Sequence, residues 1–385
     1  MNAPVVPLVP RKSPPRIVVA IPVKNEEERI GACLGALAAQ RAAPPFELVL
    51  LLNDCTDGTA ALLRALAPSC PLPLHIVERS LPAARAHAGE ARRLACRHAA
   101  RLCGPDGVLL TTDADSRAPP GWVAANLRAL RRGADAVAGR AEIDPEEATL
   151  IPARLHEDDA RECAYAALLD QIHALLDPDP ADPWPRHDQH SGASIAVTAD
   201  AYRRAGGMPG LPIGEDRAFF EALRRTEARI RHAPEVWVEV SGRTVGRATG
   251  GMADTMRRRI DAPDELLDDR LEPVADAVRR GRLRAAVRSA CRGVPPRGGA
   301  KRLAESLALP ARQIAALIEA GRFGLAWSKM EAASPVLQRR RVPVTELPYQ
   351  TARARDIRDA LAREQTLSRA ASAGPAGIAV RAAPR

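Results

Sequence analysis

Four short apolar runs in the first third of the chain, each separated from the next by a stretch of helix length, constrain the fold more than any other feature of the sequence. Residues 16–22 are continuous, β-branched and closed by a proline, which reads as a buried strand. Residues 46–52, 74–77 and 108–112 repeat the pattern. Between them the spacing predicts helices from Asn25 to about Gln40, over 59–66 and over about 86–102. The acidic residues at 26–28 would sit in the first turn of the first helix and suit its dipole. Strands alternating with helices at this interval predict an α/β domain with a mostly parallel, Rossmann-like sheet and its chemistry at the strand C-termini.

The fourth run rises into Thr112, Asp113, Ala114, Asp115 and Ser116, and the prolines at 119 and 120 cannot continue a strand. In extended backbone residues i and i+2 share a side, so Asp113 and Asp115 would present two carboxylates together at the mouth of the sheet. Two carboxylates so placed suit a hard divalent cation on a diphosphate. The same spacing recurs at Asp177 and Asp179. That copy follows no apolar run and is surrounded by prolines, which reads as a solvated loop.

Downstream the pattern predicts helices over about 121–132 and 154–176, strands at 136–139 and 192–197, and a short helix over 198–205. A further helix opens at Gly214 with Glu215 and Asp216 in its first turn, and 236–240 alternates as a strand. From about 252 the chain is helical and Arg-rich. The expected organisation is a loose leader at 1–15, a main domain at 16–250, an α-helical extension at 251–365 and a flexible tail at 366–385.

Charge sharpens that division. Residues from 246 onward hold 27 Arg and Lys against 15 Asp and Glu, whereas the first 245 hold 29 against 32. The basic excess lacks the interleaved aromatics that stacking on bases requires, so a solvated helical surface is expected rather than nucleic acid. Peripheral membrane association and a homodimer contact remain open as alternative uses of that surface. Residues 301–318 have the outline of a helix-turn-helix around Pro310, a layout that also occurs throughout helical proteins. No apolar stretch approaches the roughly 18–20 residues of a membrane span, and the N-terminus has no signal-peptide architecture, which predicts a soluble, cytoplasmic protein. Seven cysteines, without a Cys-x-x-Cys pair, fit reduced thiols. His187 and His190 lack further ligands at a fitting spacing for zinc.

Taken in order, residues 21–26, 53–59, 91–92, 112–116, 206–207 and 214–217 resemble a family 2 glycosyltransferase of the glycosyltransferase-A fold. The resemblance covers about 16–245 and implies a nucleotide-sugar-binding half at 16–116 and an acceptor half at 117–250. It implies Mg2+ or Mn2+ on Asp115, with Asp113 at the ribose or in the metal shell. Asp216, with Glu215 before it, falls where the family has its catalytic base, which in an inverting transfer takes the acceptor proton. Pro22, Lys24, Asn25 and Glu26 after the first strand, and Asn53 and Asp54 after the second, stand where the donor's base and ribose are held. Lys24 replaces an aromatic residue frequent in the family, and Asn53 stands at the usual base-binding aspartate, so the resemblance leaves a UDP-sugar and a GDP-sugar donor both open. Arg92 would reach a phosphate or the base edge. Arg243 and Arg247, in a Gly-rich loop at 241–251, would clamp the diphosphate. His190 and Ser191 would line the pocket of an acceptor that the sequence does not identify. The Gln-x-x-Arg-Trp segment of processive members is missing, which favours a single transfer.

Competing readings lack their own signatures. A sugar nucleotidyltransferase needs a Gly-rich, Arg-containing loop after the first strand, and a dinucleotide oxidoreductase needs Gly-x-Gly-x-x-Gly there. Residues 22–27 supply neither. A non-catalytic nucleotide-binding protein with a basic regulatory tail is the remaining alternative.

Overall fold

The computed structural model describes residues 16–246, 250–294 and 298–372. The strands and helices run in the order β1 (Ile17–Val23), α1 (Ile30–Ala38), β2 (Glu47–Asn53), α2 (Thr59–Leu66), β3 (Leu74–Arg79), α3 (Ala88–Cys103) and β4 (Val108–Thr111). They continue with α4 (Trp122–Arg131), β5 (Ala136–Ile143), α5 (Pro145–Ala148), α6 (Ala153–Leu176), β6 (Ile195–Thr198), α7 (Ala199–Arg204), α8 (Glu215–Arg225) and β7 (Ile230–Val240). Six helices follow, α9 (Met252–Asp261), α10 (Val274–Cys291), α11 (Gly299–Leu307), α12 (Ala311–Glu319), α13 (Phe323–Ala333) and α14 (Leu347–Ser372).

One seven-stranded sheet has the order β3-β2-β1-β4-β6-β5-β7. The first four strands pair in parallel, β6 runs antiparallel to β4, and β5 antiparallel to β6. This is the mostly parallel α/β sheet that the apolar runs predict. Val18, Val19, Ala20 and Ile21 on β1 and Leu48, Val49 and Leu50 on β2 are wholly buried, as strands covered on both faces must be. The strand order turns back on either side of β1, which makes the C-terminal ends of β1 and β4 the switch point where open α/β sheets form a crevice.

The chain divides into two compact units, discontinuous in sequence. The first takes residues up to 142, then 190–220 and 235–241, and the second takes 143–189, 221–234 and everything from 242. A linear division at 250 therefore does not follow the packing, because α6 belongs with the later helices. Its Tyr165, Leu168, Leu169 and Ile172 join Leu271, Val274 and Leu347 in one buried cluster of the second unit. A second cluster gathers Val287, Leu303, Leu307, Ile314, Trp327 and Met330. The helix pair around Pro310 thus turns its apolar faces inward. No helix among the described residues is long and apolar enough to cross a membrane.

Four local expectations are corrected. Strand β1 continues through Pro22 to Val23, which pairs with Leu52, since the fixed φ of proline suits extended backbone. Helix α1 begins at Ile30, after a turn, and has no acidic residue in its first turn. Asp177 does not lie in a solvated loop. It is only 4% exposed, and its carboxylate accepts from Arg288 at 2.7 and 3.0 Å and from Arg284. Finally, α14 runs to Ser372, well into the stretch expected to be a loose tail. The leader at 1–15 and the residues from 373 lie outside the described residues.

Candidate active site

The loops at the C-terminal ends of β1 and β2 are built around each other. Asn25 has φ 54 and Asp54 φ 50, the left-handed region that Asn and Asp tolerate better than most residues. The Asn25 side chain accepts from the Thr56 amide at 2.7 Å and donates to its hydroxyl at 3.2 Å. The Glu26 amide donates to Thr59 Oγ1, and the Glu27 carboxylate accepts from the Gly58 amide at 2.9 Å. A Cβ at Gly58 would fall 2.2 Å from that carboxylate, so a larger residue there would displace the Glu27 side chain from the tie. The acidic stretch at 26–28, expected to start a helix, instead ties the two loops. Pro22 sits inside β1 and Lys24 is half-buried in the turn after it.

Beside this tie the chain leaves polar atoms without partners. Asn53 is 2% exposed and its Nδ2 makes no hydrogen bond, while Asp54 accepts from the Leu81 amide through Oδ1 and leaves Oδ2 buried and unpaired. At the end of β4, the hydroxyls of Thr112 and Ser116 are likewise buried and unpaired. An orphaned buried polar group costs about 1–3 kcal/mol. Four of the seven such atoms among the described residues cluster at these two strand ends, where water or a polar ligand would satisfy them.

The geometry of Asp113 and Asp115 differs from the expected extended pair. Strand β4 ends at Thr111, and a turn closed by the Ser116 amide on the Asp113 carbonyl (3.2 Å) carries both aspartates. Alternation along a strand therefore does not govern their directions. Both are half-buried, with buried Ala114 between them. The turn is fixed on its far side by reciprocal backbone bonds between Arg117 and Glu239, at 2.8 and 3.0 Å. Cys33 lies beneath, its Sγ 3.5 Å from the Asp113 carbonyl. Burial, followed by the negative charges of Asp115, Asp113 and Glu26, pushes its thiol well up, so it stays protonated.

Arg92 on α3 is the centre of the cluster. It is 5% exposed and does not face out to a phosphate or base, as expected from the sequence, because four of its five donors are engaged by protein. Nη2 donates to Asp113 Oδ1 at 2.5 Å, and Nε to Glu215 Oε1 at 3.0 Å. Nη1 donates to Thr111 Oγ1 at 3.1 Å and to the Gly192 carbonyl at 2.8 Å. Burial alone would lower its pKa, but the carboxylates of Asp113 and Glu215 outweigh that and hold it above the ordinary arginine value. Asp113 Oδ2 has no partner among the described residues.

Gly192 extends the network. Its N–H donates to Asp216 Oδ2 at 3.0 Å while its carbonyl accepts from Arg92, and Asp216 Oδ1 accepts from the Arg217 amide. A Cβ at 192 would lie 2.7 Å from the guanidinium carbon, so a glycine is required. The turn after β4 and the start of α8 are thus joined through one side chain and one peptide. Sequence reasoning placed Thr112 and Ser116 in the motif without giving them a role, and missed Thr111 and Gly192, of which only the glycine carried a signal, its lack of a side chain. Of the two residues expected at an acceptor, His190 packs its ring on Phe220 (4.6 Å between centroids) and Ser191 Oγ accepts from the Ala193 amide. Arg243 is half-buried in the second unit, one residue beyond Gly242, whose N–H donates to Glu147 at 2.6 Å. Arg247 lies outside the described residues.

No group of three or more His, Cys, Asp or Glu side chains able to hold a metal occurs among the described residues. The strand-end carboxylates nevertheless fit Mg2+ or Mn2+ chemically. Such ions are commonly held by one or two protein carboxylates, completed by water and substrate phosphate.

The family model described as Glycosyl transferase family 2 matches residues 18–179, from β1 through the Asp113–Ser116 turn and α6. No curated protein matches the chain. Among solved structures, S. aureus TarS in complex with UDP-GlcNAc is similar at 15% identity over 83% of this chain and 91% of that one, with a TM-score of 0.45. The mannosyltransferase PcManGT from Pyrobaculum calidifontis, in complex with GDP-Man and Mn2+, is 18% identical over 91% of this chain and 85% of that one, with a TM-score of 0.41. Glucosyl-3-phosphoglycerate synthase from Mycobacterium tuberculosis, with Mg2+ and UDP, is 19% identical over 65% of this chain and 81% of that one, at 0.36.

Proposed function

We propose that this chain, whose residues 18–179 are a family 2 glycosyl transferase domain, moves one sugar from a nucleoside-diphosphate donor to an acceptor hydroxyl with inversion. The observation that supports this most is the single buried guanidinium of Arg92 bonded at once to Asp113 after β4 and Glu215 at the start of α8. It draws a donor-side carboxylate into one cluster with Glu215 and the neighbouring Asp216, the carboxylate suited to proton transfer, at the switch point of the sheet.

In this reading the donor's base and ribose contact the orphaned polar atoms of Asn53 and Asp54, next to the Asn25 and Glu26 turn. A divalent cation on Asp115, with the open Oδ2 of Asp113 close by in sequence, would neutralise the charge growing on the departing diphosphate. Asp216 is the general base. The acceptor oxygen attacks the anomeric carbon, its proton passes to the Asp216 carboxylate, and the bond to the diphosphate breaks with its electrons leaving on that group. The Gly192 and Arg217 amides hold the Asp216 carboxylate in orientation. Arg92, Glu215 and Gly192 are positioning residues, since their polar atoms face protein. His190 and Ser191, on the loop leading into Gly192, are the nearest acceptor-side candidates in sequence.

The test is a thermal-shift series with UDP and GDP, each with and without Mn2+, on the wild type and on Asp115→Asn, paired with a transfer assay. The expected result is a metal-linked shift for one nucleotide that disappears in Asp115→Asn. Equal shifts in both proteins, or none with any nucleotide and metal, would remove the donor-site assignment.

A further inference from the structure

The second unit contains a cavity of about 580 Å³, walled by one face of α6, the end of α9 with Pro263, Asp264 and Leu267, and the start of α14 with Val344 before it. Every residue lining it belongs to that unit. Its size falls within the roughly 300–1,000 Å³ of small-molecule sites. The α6 wall presents Arg154, Asp158, Arg161 and Glu162, whose spacing puts them on one helical face. The carboxylates lining the cavity, two on α6 and Asp264 after α9, are already engaged. Asp158 accepts from Arg161 at 2.6 Å and lies 3.6 Å from Arg154. Glu162 accepts from the Asp268 amide at 3.0 Å, and Asp264 pairs with Arg259 at 2.7 Å.

The α14 wall differs. Thr351 and Arg355, one turn apart, both line the cavity, and neither side chain has a hydrogen bond or ion pair among the described residues. Leu155 and Val344 add half-buried apolar surface, and Pro348 lies a turn before Thr351. The exposed Arg355 guanidinium and the half-buried Thr351 hydroxyl thus keep their donors for a ligand, beside the apolar side chains of Leu155, Val344 and Pro348.

We propose that this cavity binds a single anionic amphiphile, with a phosphate or carboxylate head on Arg355 and Thr351 and an aliphatic body against Leu155, Val344 and Pro348. A guanidinium suits such oxyanions because its planar donor fork matches them. The apolar wall excludes a purely inorganic ion as the preferred occupant. The proposal concerns residues outside the transfer site and is read by binding alone, so it stands or falls separately from the transferase assignment.

The experiment is calorimetric titration of the full chain with decyl phosphate below its micelle concentration, with parallel arms of inorganic phosphate, decanol and anionic phospholipid vesicles. One decyl phosphate per chain is expected, with affinity at least tenfold weaker in Arg355→Glu and severalfold weaker in Thr351→Val. Inorganic phosphate and decanol should each bind at least tenfold more weakly than decyl phosphate. Both variants should melt with the wild type, since neither side chain has a protein partner, and Arg355→Ala repeats the measurement if the charge reversal disturbs folding. The proposal is overturned by absence of saturable decyl phosphate binding or by unchanged affinity in the Arg355 variants. Inorganic phosphate binding as tightly as decyl phosphate also overturns it, as does binding to vesicles without binding of the monomer.

Discussion

Two buried arginines, one in each unit, look alike by exposure and differ in what surrounds them. Arg92 and Arg280 are both 5% exposed. Arg280 donates to both oxygens of Glu272 at 2.7 and 3.0 Å, to Glu331 at 2.5 Å and to the Leu337 carbonyl at 2.7 Å. Glu272 is wholly buried, and every group that Arg280 bonds belongs to the helical unit. Arg92 also joins two carboxylates and a carbonyl, yet Thr112 and Ser116 nearby in the chain keep unpaired buried hydroxyls. A buried ion network by itself therefore does not mark a site. Unsatisfied polar atoms at its edge do, because a folded chain rarely leaves such groups without a purpose.

This contrast is broken most forcefully by removing each cation in turn. Arg280→Ala leaves Glu272 buried without its partner and should lower stability by about 3–5 kcal/mol, measured by denaturant unfolding. Nucleotide binding by the protein that remains folded should not change. A stable Arg280→Ala protein with lost binding would reverse the roles assigned to the two networks. Arg92→Lys keeps the charge but not the planar fork, so it cannot hold Asp113, Glu215 and Gly192 together. Turnover should fall about a hundredfold, or ~2.7 kcal/mol, with donor affinity changed much less. A merely structural role would instead depress folded yield and leave the turnover of the folded fraction intact.

A smaller effect concerns acid. Asp182 in the second unit accepts from the His232 amide at 2.9 Å, contacts its Nδ1 at 2.7 Å and pairs with Arg231 at 3.2 Å. Burial pushes its carboxyl up, but the bonds and charges of His232 and Arg186 outweigh that and hold it below the ordinary aspartate value. Its contribution to stability is thus fully present above about pH 4 and is lost as the pH falls through the lower, folded-state value. Asp182→Asn should cost about 1–2 kcal/mol near neutrality and flatten the acid limb of a stability–pH curve. An acid limb as steep as that of the wild type would show that other carboxylates govern it.

The parts of this architecture legible in the sequence were those set by local pattern. Apolar runs of β-branched and aliphatic residues located β1, β2, β3 and β4 because buried parallel strands need side chains of that kind on both faces. The termini were less legible. Glu26 and Glu27 read as a helix start, and the Glu26 carbonyl does accept from the Arg29 and Ile30 amides, but the Glu26 amide and the Glu27 carboxylate bond to Thr59 and Gly58, some thirty residues along the chain. The pair at 113 and 115 was found by its position after an apolar run, while the extended backbone expected there is replaced by a turn, since the strand ends two residues before Asp113. Arg92 was named as a site residue, but its protein partners were not foreseen. Its contacts are with Thr111, Asp113, Gly192 and Glu215, and only the tertiary fold brings the last two to α3. The membership of α6 in the helical unit was hidden for the same reason, since it follows from packing on residues about a hundred and more positions away.

The measurement that bears most directly on the transfer site is a paired one on Asp216→Asn, donor binding by titration and sugar transfer in a single turnover. Asparagine keeps the shape and can still accept one of the Gly192 and Arg217 amides through its single carbonyl oxygen, while losing the capacity to take a proton. The account predicts donor affinity within about threefold of wild type and transfer slowed by about 10²–10⁴-fold, the range lost with a general base. Transfer at the wild-type rate with donor still bound would contradict it, and the proton acceptor would then have to lie elsewhere.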